Sequence, residues 1–339
     1  MNSKTITMKK YFLYSGLLLS TLTLFNCSDD DDVVEGRFDR AELYVTSTAS
    51  GDITVYDFSD DDQVETTTLT TLSTSNEGIE YDGDTDELFV ASRSALNLSV
   101  FTDVEATIES GAVAAATGIT ATAAFNSPRA LAINGDNVVV ADNGTNQLFV
   151  YTRTSSGLQL RNTFDIAFDL WGVEFVGSDL YAVVDNTSDL AIFTNFLSNT
   201  TDGSLAATKQ ITIEGIVRTH GIAYDAQDDL LIMTDVGLAS SDTDGAYHVI
   251  DNALSQIAGV ANGGTLALSS QTRVAGSNTF LGNPIDVDYD TESNTIFIAE
   301  IANGGGRVLA FDVAQSGNAN PAINNMLAGC SSLDFYGND

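Results

Sequence analysis

The sequence predicts an all-β fold, a six-bladed β-propeller with four-stranded antiparallel blades. Three observations carry this. One strand pattern recurs along the chain, its last copy is divided between the two ends, and the composition suits many short strands. Of 339 residues 28 are Gly and 3 are Pro, with Thr, Ser, Asn and Asp abundant at the turns.

Each copy opens with a short strand whose apolar residues alternate with others. These first strands start Glu77-Gly78-Ile79-Glu80-Tyr81, Arg129-Ala130-Leu131-Ala132-Ile133, Trp171-Gly172-Val173-Glu174-Phe175, His220-Gly221-Ile222-Ala223-Tyr224 and Pro284-Ile285-Asp286-Val287. Period two is strand behaviour. After a turn comes a nearly continuous apolar run, as in Asn137-Val138-Val139-Val140-Ala141-Asp142 or Thr295-Ile296-Phe297-Ile298-Ala299-Glu300. Such runs belong to strands covered on both faces. A third strand ends in an aromatic, as in Leu148-Phe149-Val150-Tyr151 and Val308-Leu309-Ala310-Phe311. Outer strands are expected at 64–72, 158–164 and 209–213, and loops at 237–245 and 258–277.

The sixth copy is split. Residues 42–46 and 53–56 supply a second and a third strand with no first strand before them. Ser332-Leu333-Asp334-Phe335-Tyr336 supplies a first strand with nothing after it. The two ends are expected to share one blade, which closes the ring and removes an exposed edge. The domain expectation is one propeller over residues 40–339.

The copy from Pro128 to Tyr151, with its Val140-Ala141-Asp142-Asn143-Gly144-Thr145-Asn146 turn, resembles an NHL repeat. The resemblance extends weakly to the other copies and implies a six-bladed propeller. It leaves function open, because relatives of this shape bind proteins, RNA or small molecules and a few are enzymes.

Residues 1–26 read as a lipoprotein signal peptide. Lys9 and Lys10 precede an apolar stretch from Tyr11 to Phe25, too short to span a membrane. Leu24-Phe25-Asn26-Cys27 is lipobox-like, and Ser28-Asp29-Asp30-Asp31-Asp32 follows. The combination resembles lipoproteins of Bacteroidetes-type bacteria, in which an acidic run after the lipidated Cys directs surface export. The resemblance implies lipidation at Cys27, a tether over 27–39, and an outer-membrane lipoprotein exposed at the cell surface. Acyl chains contribute about 0.8 kcal/mol per buried CH₂. Cys330 then has no disulfide partner and is expected to be a small buried residue.

The net charge is −34. It repels phosphate backbones and anionic headgroups, so nucleic acid is excluded as a partner and membrane attachment requires the lipid. The acidity reads as solubility or, at some sites, as Ca²⁺ binding.

First strands begin, and second strands end, at one rim around the central channel. By sequence that rim gathers Glu77, Arg93, Arg129, Asp142, Trp171, Asp185, His220, Asp235, Asn283 and Glu300, with Thr46 and Ser331 from the split blade. Asp142, Asp185 and Asp235 also sit where acids bond turn amides. Two functions follow. In the first, the rim of a monomer or of an outer-membrane assembly binds a protein, peptide or glycan. Trp171 stacks on the ligand, and Arg129, Glu77 and His220 anchor it. In the second, the protein is a metal-dependent hydrolase. Glu77-Gly78 is similar to the Glu-Gly start of gluconolactonase-type propellers, although Ile79 replaces the proline that follows there. That resemblance implies a Ca²⁺ site from Glu77, Asp185, Asp235 and Asn283, with His220 as general base.

Overall fold

Strands with apolar residues on both faces need a neighbour on each side, and a ring of sheets supplies one. The computed structural model describes residues 40–60, 64–115, 117–122 and 124–338. The export segment, Cys27, the acidic tether and Asp339 lie outside the described residues.

The first blade contains β4 (Asn76–Asp82), β5 (Glu87–Ser92), β6 (Asn97–Thr102) and β7 (Thr117–Thr122). The second has β8 (Pro128–Asn134), β9 (Asn137–Asp142), β10 (Gln147–Thr154) and β11 (Gly157–Asp165). In the third are β12 (Leu170–Val176), β13 (Asp179–Val184), β14 (Asp189–Phe193) and β16 (Lys209–Ile213), with a short β15 (Gly203–Ser204) in between. The fourth holds β17 (Ile222–Asp225), β18 (Leu230–Asp235), β19 (Ala246–Asp251) and β21 (Thr272–Ala275), interrupted by β20 (Thr265–Leu266). The fifth is built from β22 (Pro284–Asp290), β23 (Thr295–Glu300), β24 (Arg307–Asp312) and β25 (Ile323–Met326). The closing blade takes β1 (Arg40–Ser47), β2 (Ile53–Asp57) and β3 (Glu65–Leu69) from one end and β26 (Cys330–Asn338) from the other. There β26 pairs with β1 from Arg40↔Asn338 to Ser47↔Cys330, so the ring closes as expected. Innermost strands β4, β8, β12, β17, β22 and β26 each contact the next, and β26 contacts β4.

Six apolar clusters fill the spaces between blades. In β9, Val138 and Val140 pack toward the first blade, while Val139 and Ala141 pack toward the third. That is the physical reason for the unbroken apolar runs. Each fully buried Val or Leu contributes roughly 1.5–3 kcal/mol. Cys330 is buried and free, and no helix among the described residues is long and apolar enough to cross a membrane.

The outer strands were harder to anticipate. The expected loop at 258–277 contains β20 and β21, and β21 is the fourth strand of its blade. Strands β7 and β25 are polar and Thr- or Asn-rich, with no apolar periodicity to mark them. Several outer edges are covered by a segment inserted in the following blade. β15 runs parallel to β11 and β20 parallel to β16. Bridges Thr70↔Ala114 and Val274↔Gly317 do the same elsewhere. Such covers protect an edge from pairing with other chains.

Candidate functional site

The first strands are irregular at one end of the channel, and this irregularity builds the mouth. Register slips at Glu77-Gly78 in β4, at Arg129 in β8, at Trp171-Gly172 in β12 and at Ile285 in β22. A bulge re-aims the extra residue out of the ladder. His220 precedes β17 at the same level, and Ser331 lies in the slip of β26 against β1. Each blade thus contributes one residue to a ring of Glu77, Arg129, Trp171, His220, Ile285 and Ser331.

Glycine allows this crowding. A Cβ on Gly78 would stand 2.9 Å from Ala130 Cα, one on Gly221 2.7 Å from Asp286 Cα, and one on Gly172 2.3 Å from the His220 carbonyl oxygen. Gly172 N–H donates to that same oxygen at 3.1 Å.

Seven side chains then form an arc across four blades. Arg129 Nη1 donates to both oxygens of Glu77 at 3.0 and 2.9 Å. Arg93 Nε approaches Glu77 at 3.2 Å. Burial pushes the Glu77 carboxyl upward, and the two guanidinium groups counter part of that shift. The Arg129 guanidinium carbon lies 4.0 Å from the Trp171 ring centroid. On Trp171's other face the His220 ring stacks at 3.6 Å. His220 Nε2 meets Asp185 Oδ1 at 3.0 Å. Arg218 completes the arc with Nε and Nη2 on Asp185 at 2.8 and 3.2 Å.

Charge states follow. Burial opposes ionisation of Asp185, but His220 and Arg218 outweigh it and hold the carboxyl well below its usual range. Burial pushes His220 down to about 4, although Asp185 pulls the other way. His220 is therefore neutral at pH 7. Its Nε2–H donates to Asp185, and the buried Nδ1 has no hydrogen-bond partner.

The other rim acids point into their own loops. Asp142 accepts the amides of Asn126, Ser127 and Thr145, each at 2.8 Å. Asp235 Oδ1 accepts those of Val217, Arg218 and Gly237. Glu300 accepts four, from Gly282, Asn283, Ala302 and Asn303. They build the rim rather than face a ligand. Thr46 and Ser331 join its framework, with Thr46 Oγ1 on the Glu77 carbonyl at 2.7 Å and Ser331 Oγ on the Asn76 carbonyl at 2.9 Å.

This arrangement does not fit the expected Ca²⁺ set. Glu77 and Asp185 are neutralised by arginines, Asp235 has its Oδ1 on amides and its Oδ2 3.8 Å from Arg273 Nη2, and the Asn283 amide lies against the Val236 and Gly282 carbonyls. Among the described residues no group of three His, Cys, Asp or Glu is placed to hold a metal.

Two features were missed in the sequence. Arg218 is one. The other lies deeper in the channel, where a cavity of about 190 Å³ is lined by Glu80, Glu174, Asp286, Asp288 and Asp334. Several of these acids tie adjacent inner strands. Asp286 accepts the Leu333 amide at 3.1 Å, Asp288 that of Phe335 at 2.6 Å, and Asp334 that of Tyr81 at 2.8 Å. Burial pushes Asp286 and Asp288 up to about 7. Glu80, Glu174 and Asp334 are raised by burial and by their charged neighbours.

Residues 125–151 match the family model described as NHL repeat. No curated protein sequence matches the chain. Among solved structures, a chain of the nidogen/laminin complex is similar with a TM-score of 0.62 and 13% identity, covering 87% of this chain and 98% of that one. A provisionally assigned 6-phosphogluconolactonase from Bacteroides fragilis is similar with a TM-score of 0.58 and 12% identity, covering 91% and 100%. At such identities the likeness concerns the fold alone. The chain is a six-bladed β-propeller that carries an NHL repeat in its second blade.

Proposed function

We propose that the chain is an exported binding module, anchored by lipid on Cys27, whose channel mouth docks a protein partner. The distribution of exposed apolar side chains carries this reading. Eleven large hydrophobics are exposed among the described residues. Six of them, Leu72, Leu96, Val217, Leu238, Phe280 and Met326, lie in loops or strand ends on the mouth face. Single exposed hydrophobics are ordinary, but six spread around the mouth of a strongly acidic protein offer apolar contacts to a partner, which supports the reading. At the centre stand Trp and Arg, the residue types that most often dominate binding energy. The nidogen/laminin neighbour is itself a complex, in keeping with protein binding as one use of this shape.

The test compares Leu238→Asp and Phe280→Asp with Leu254→Asp, which lies on the opposite face. Crosslinking on intact cells is expected to recover the partner with wild type and Leu254→Asp and to lose it with both mouth variants. Recovery that persists in the mouth variants ends the reading. Protease treatment of the same cells tests the surface address, and Cys27→Ala is expected to release the protein from the membrane fraction.

A divalent-metal-dependent lactonase or esterase is the alternative. It requires carboxylates free to ligate and a base that accepts protons near neutral pH. Glu77 and Asp185 are paired with arginines, and His220 is held near 4, which disfavours it.

A further inference from the structure

We propose that the centre of the mouth is a carboxylate-binding site, and that it takes an aspartate or glutamate side chain of the protein partner. This rests on the docking reading above.

Past residue 26 only ten basic residues remain against 47 acidic ones. Three of the ten, Arg93, Arg129 and Arg218, meet at this end of the channel. Two buried carboxylates fix them in place, Glu77 for Arg93 and Arg129 and Asp185 for Arg218. With His220 neutral, three guanidinium groups face two carboxylates within this arc, while Asp142, Asp235 and Glu300 of the same rim are buried against their own loop amides.

Unused donors remain. Among the described residues neither Nη of Arg93 has a hydrogen-bond acceptor, nor does Nη2 of Arg129 or Nη1 of Arg218. The Arg93 side chain is 35% exposed, so its outer edge is open to an incoming group. The planar guanidinium fork matches a carboxylate with two parallel bonds. Because Glu77 and Asp185 already hold Arg129 and Arg218 by hydrogen bonds, little of their side-chain freedom is lost on binding, whereas Arg93 meets Glu77 through charge alone.

The geometry also separates protein from glycan. A sugar ring would be held chiefly by stacking on an aromatic face. Trp171 offers none, because His220 covers one face and Arg129 the other. What is left is charge at the centre and aliphatic side chains around it, which suits an acidic residue within an apolar protein surface.

Trp171 is the sole tryptophan, so its emission reports the site directly. The probe is acetyl-aspartyl-amide, titrated to tens of millimolar against purified protein, with acetyl-asparaginyl-amide and methyl glucuronide as comparisons. A saturable change is expected with the aspartyl probe. It is expected to be about tenfold weaker with the asparaginyl probe, and about tenfold weaker for Arg93→Gln, because each removes a charge-assisted contact. Arg93→Lys is expected to recover part of the response. Arg129 still pairs with Glu77 in these variants, and an unchanged Tm checks the fold. If either variant fails to fold, the comparison of the two probes on wild type decides alone.

Equal response to the aspartyl and asparaginyl probes overturns the proposal. So does no response to either, and so does a response to the glucuronide alone. A silent aspartyl probe combined with partner loss in Leu238→Asp overturns this site and leaves the docking surface standing. An aspartyl response combined with partner recovery in Leu238→Asp does the reverse.

Discussion

Trp171 and His220 lie face to face across the boundary between the third and fourth blades, with ring centroids 3.6 Å apart and planes 4° from parallel. The contact is held from behind, because the His220 carbonyl accepts the Gly172 amide. Burial keeps His220 neutral down to about pH 4, whereas an unfolded histidine takes up a proton near 6.5.

Between those two values the unfolded chain binds the proton and the folded chain does not. His220 therefore lowers stability as pH falls from about 6.5 toward 4. A charged imidazolium against the indole would quench its emission. Fluorescence of Trp171 is expected to titrate near pH 4, and His220→Gln is expected to abolish the transition. A midpoint near 6.5 in wild type would show that the ring is hydrated and not stacked.

Arg129 joins two parts of the mouth, since it pairs with Glu77 and covers Trp171. Arg129→Gln leaves a buried carboxylate with Arg93 alone, and a cost of about 3 kcal/mol is expected. Adding Glu77→Gln removes the stranded charge and is expected to restore most of that loss, giving a favourable coupling in a double-mutant cycle. Urea unfolding of the four proteins measures it. Additive losses would mean that the pair does not share its charge.

The fold was legible because each blade repeats one pattern and the closing blade is visibly divided. The mouth was legible as a place, because β4, β8, β12 and β22 all begin there. What each residue does there was not. Asp142 and Asp185 look alike in sequence, yet Asp142 is the last residue of β9 and caps its own loop. Asp185 lies one position past β13 and reaches the arginine and histidine of the next blade. In sequence Trp171 serves equally as a stacking surface or as a plug of the channel, and only packing shows His220 and Arg129 lying against it. The channel acids did leave a signal. Glu80, Glu174, Asp288 and Asp334 interrupt otherwise apolar first strands on the face that also carries Gly78, Gly172, Asp286 and Ser332. Period-two reading placed these residues in strands but could not tell the channel face from a wet one.

Gly172 tests how tightly the mouth is built. A methyl group there meets the His220 backbone oxygen at 2.3 Å, and backbone cannot swing aside. Gly172→Ala is expected to cost about 1–3 kcal/mol and to disturb the Trp171 emission. Gly259→Ala is the control. It ends the helix Ala253–Gly259, no atom stands within 4 Å of the added group, and its Tm is expected to be unchanged or slightly higher. Thermal unfolding of both reads the difference, and equal Tm values would mean that the blades at the mouth can separate freely.

The channel carboxylates set a pH dependence of opposite sign to that of His220. Asp286 and Asp288 titrate near 7 in the folded chain, against about 4 when unfolded. Between those values the folded state binds more protons. Their contribution is fully present below about pH 4 and is lost as pH rises through 7. Glu174 belongs to the same cluster, raised by burial and then by Asp288, Asp334 and Asp286. Glu174→Gln removes one charge that the others repel and keeps an acceptor in place. At pH 8 the variant is expected to be more stable than wild type by about 1–2 kcal/mol, less than a full burial shift because the cavity has room for water. At pH 4, where these groups are protonated in the folded chain and largely so in the unfolded chain, the two are expected to unfold nearly together. A gain of equal size at both pH values would trace the effect to packing and not to charge, since only a titrating group can make the difference grow with pH.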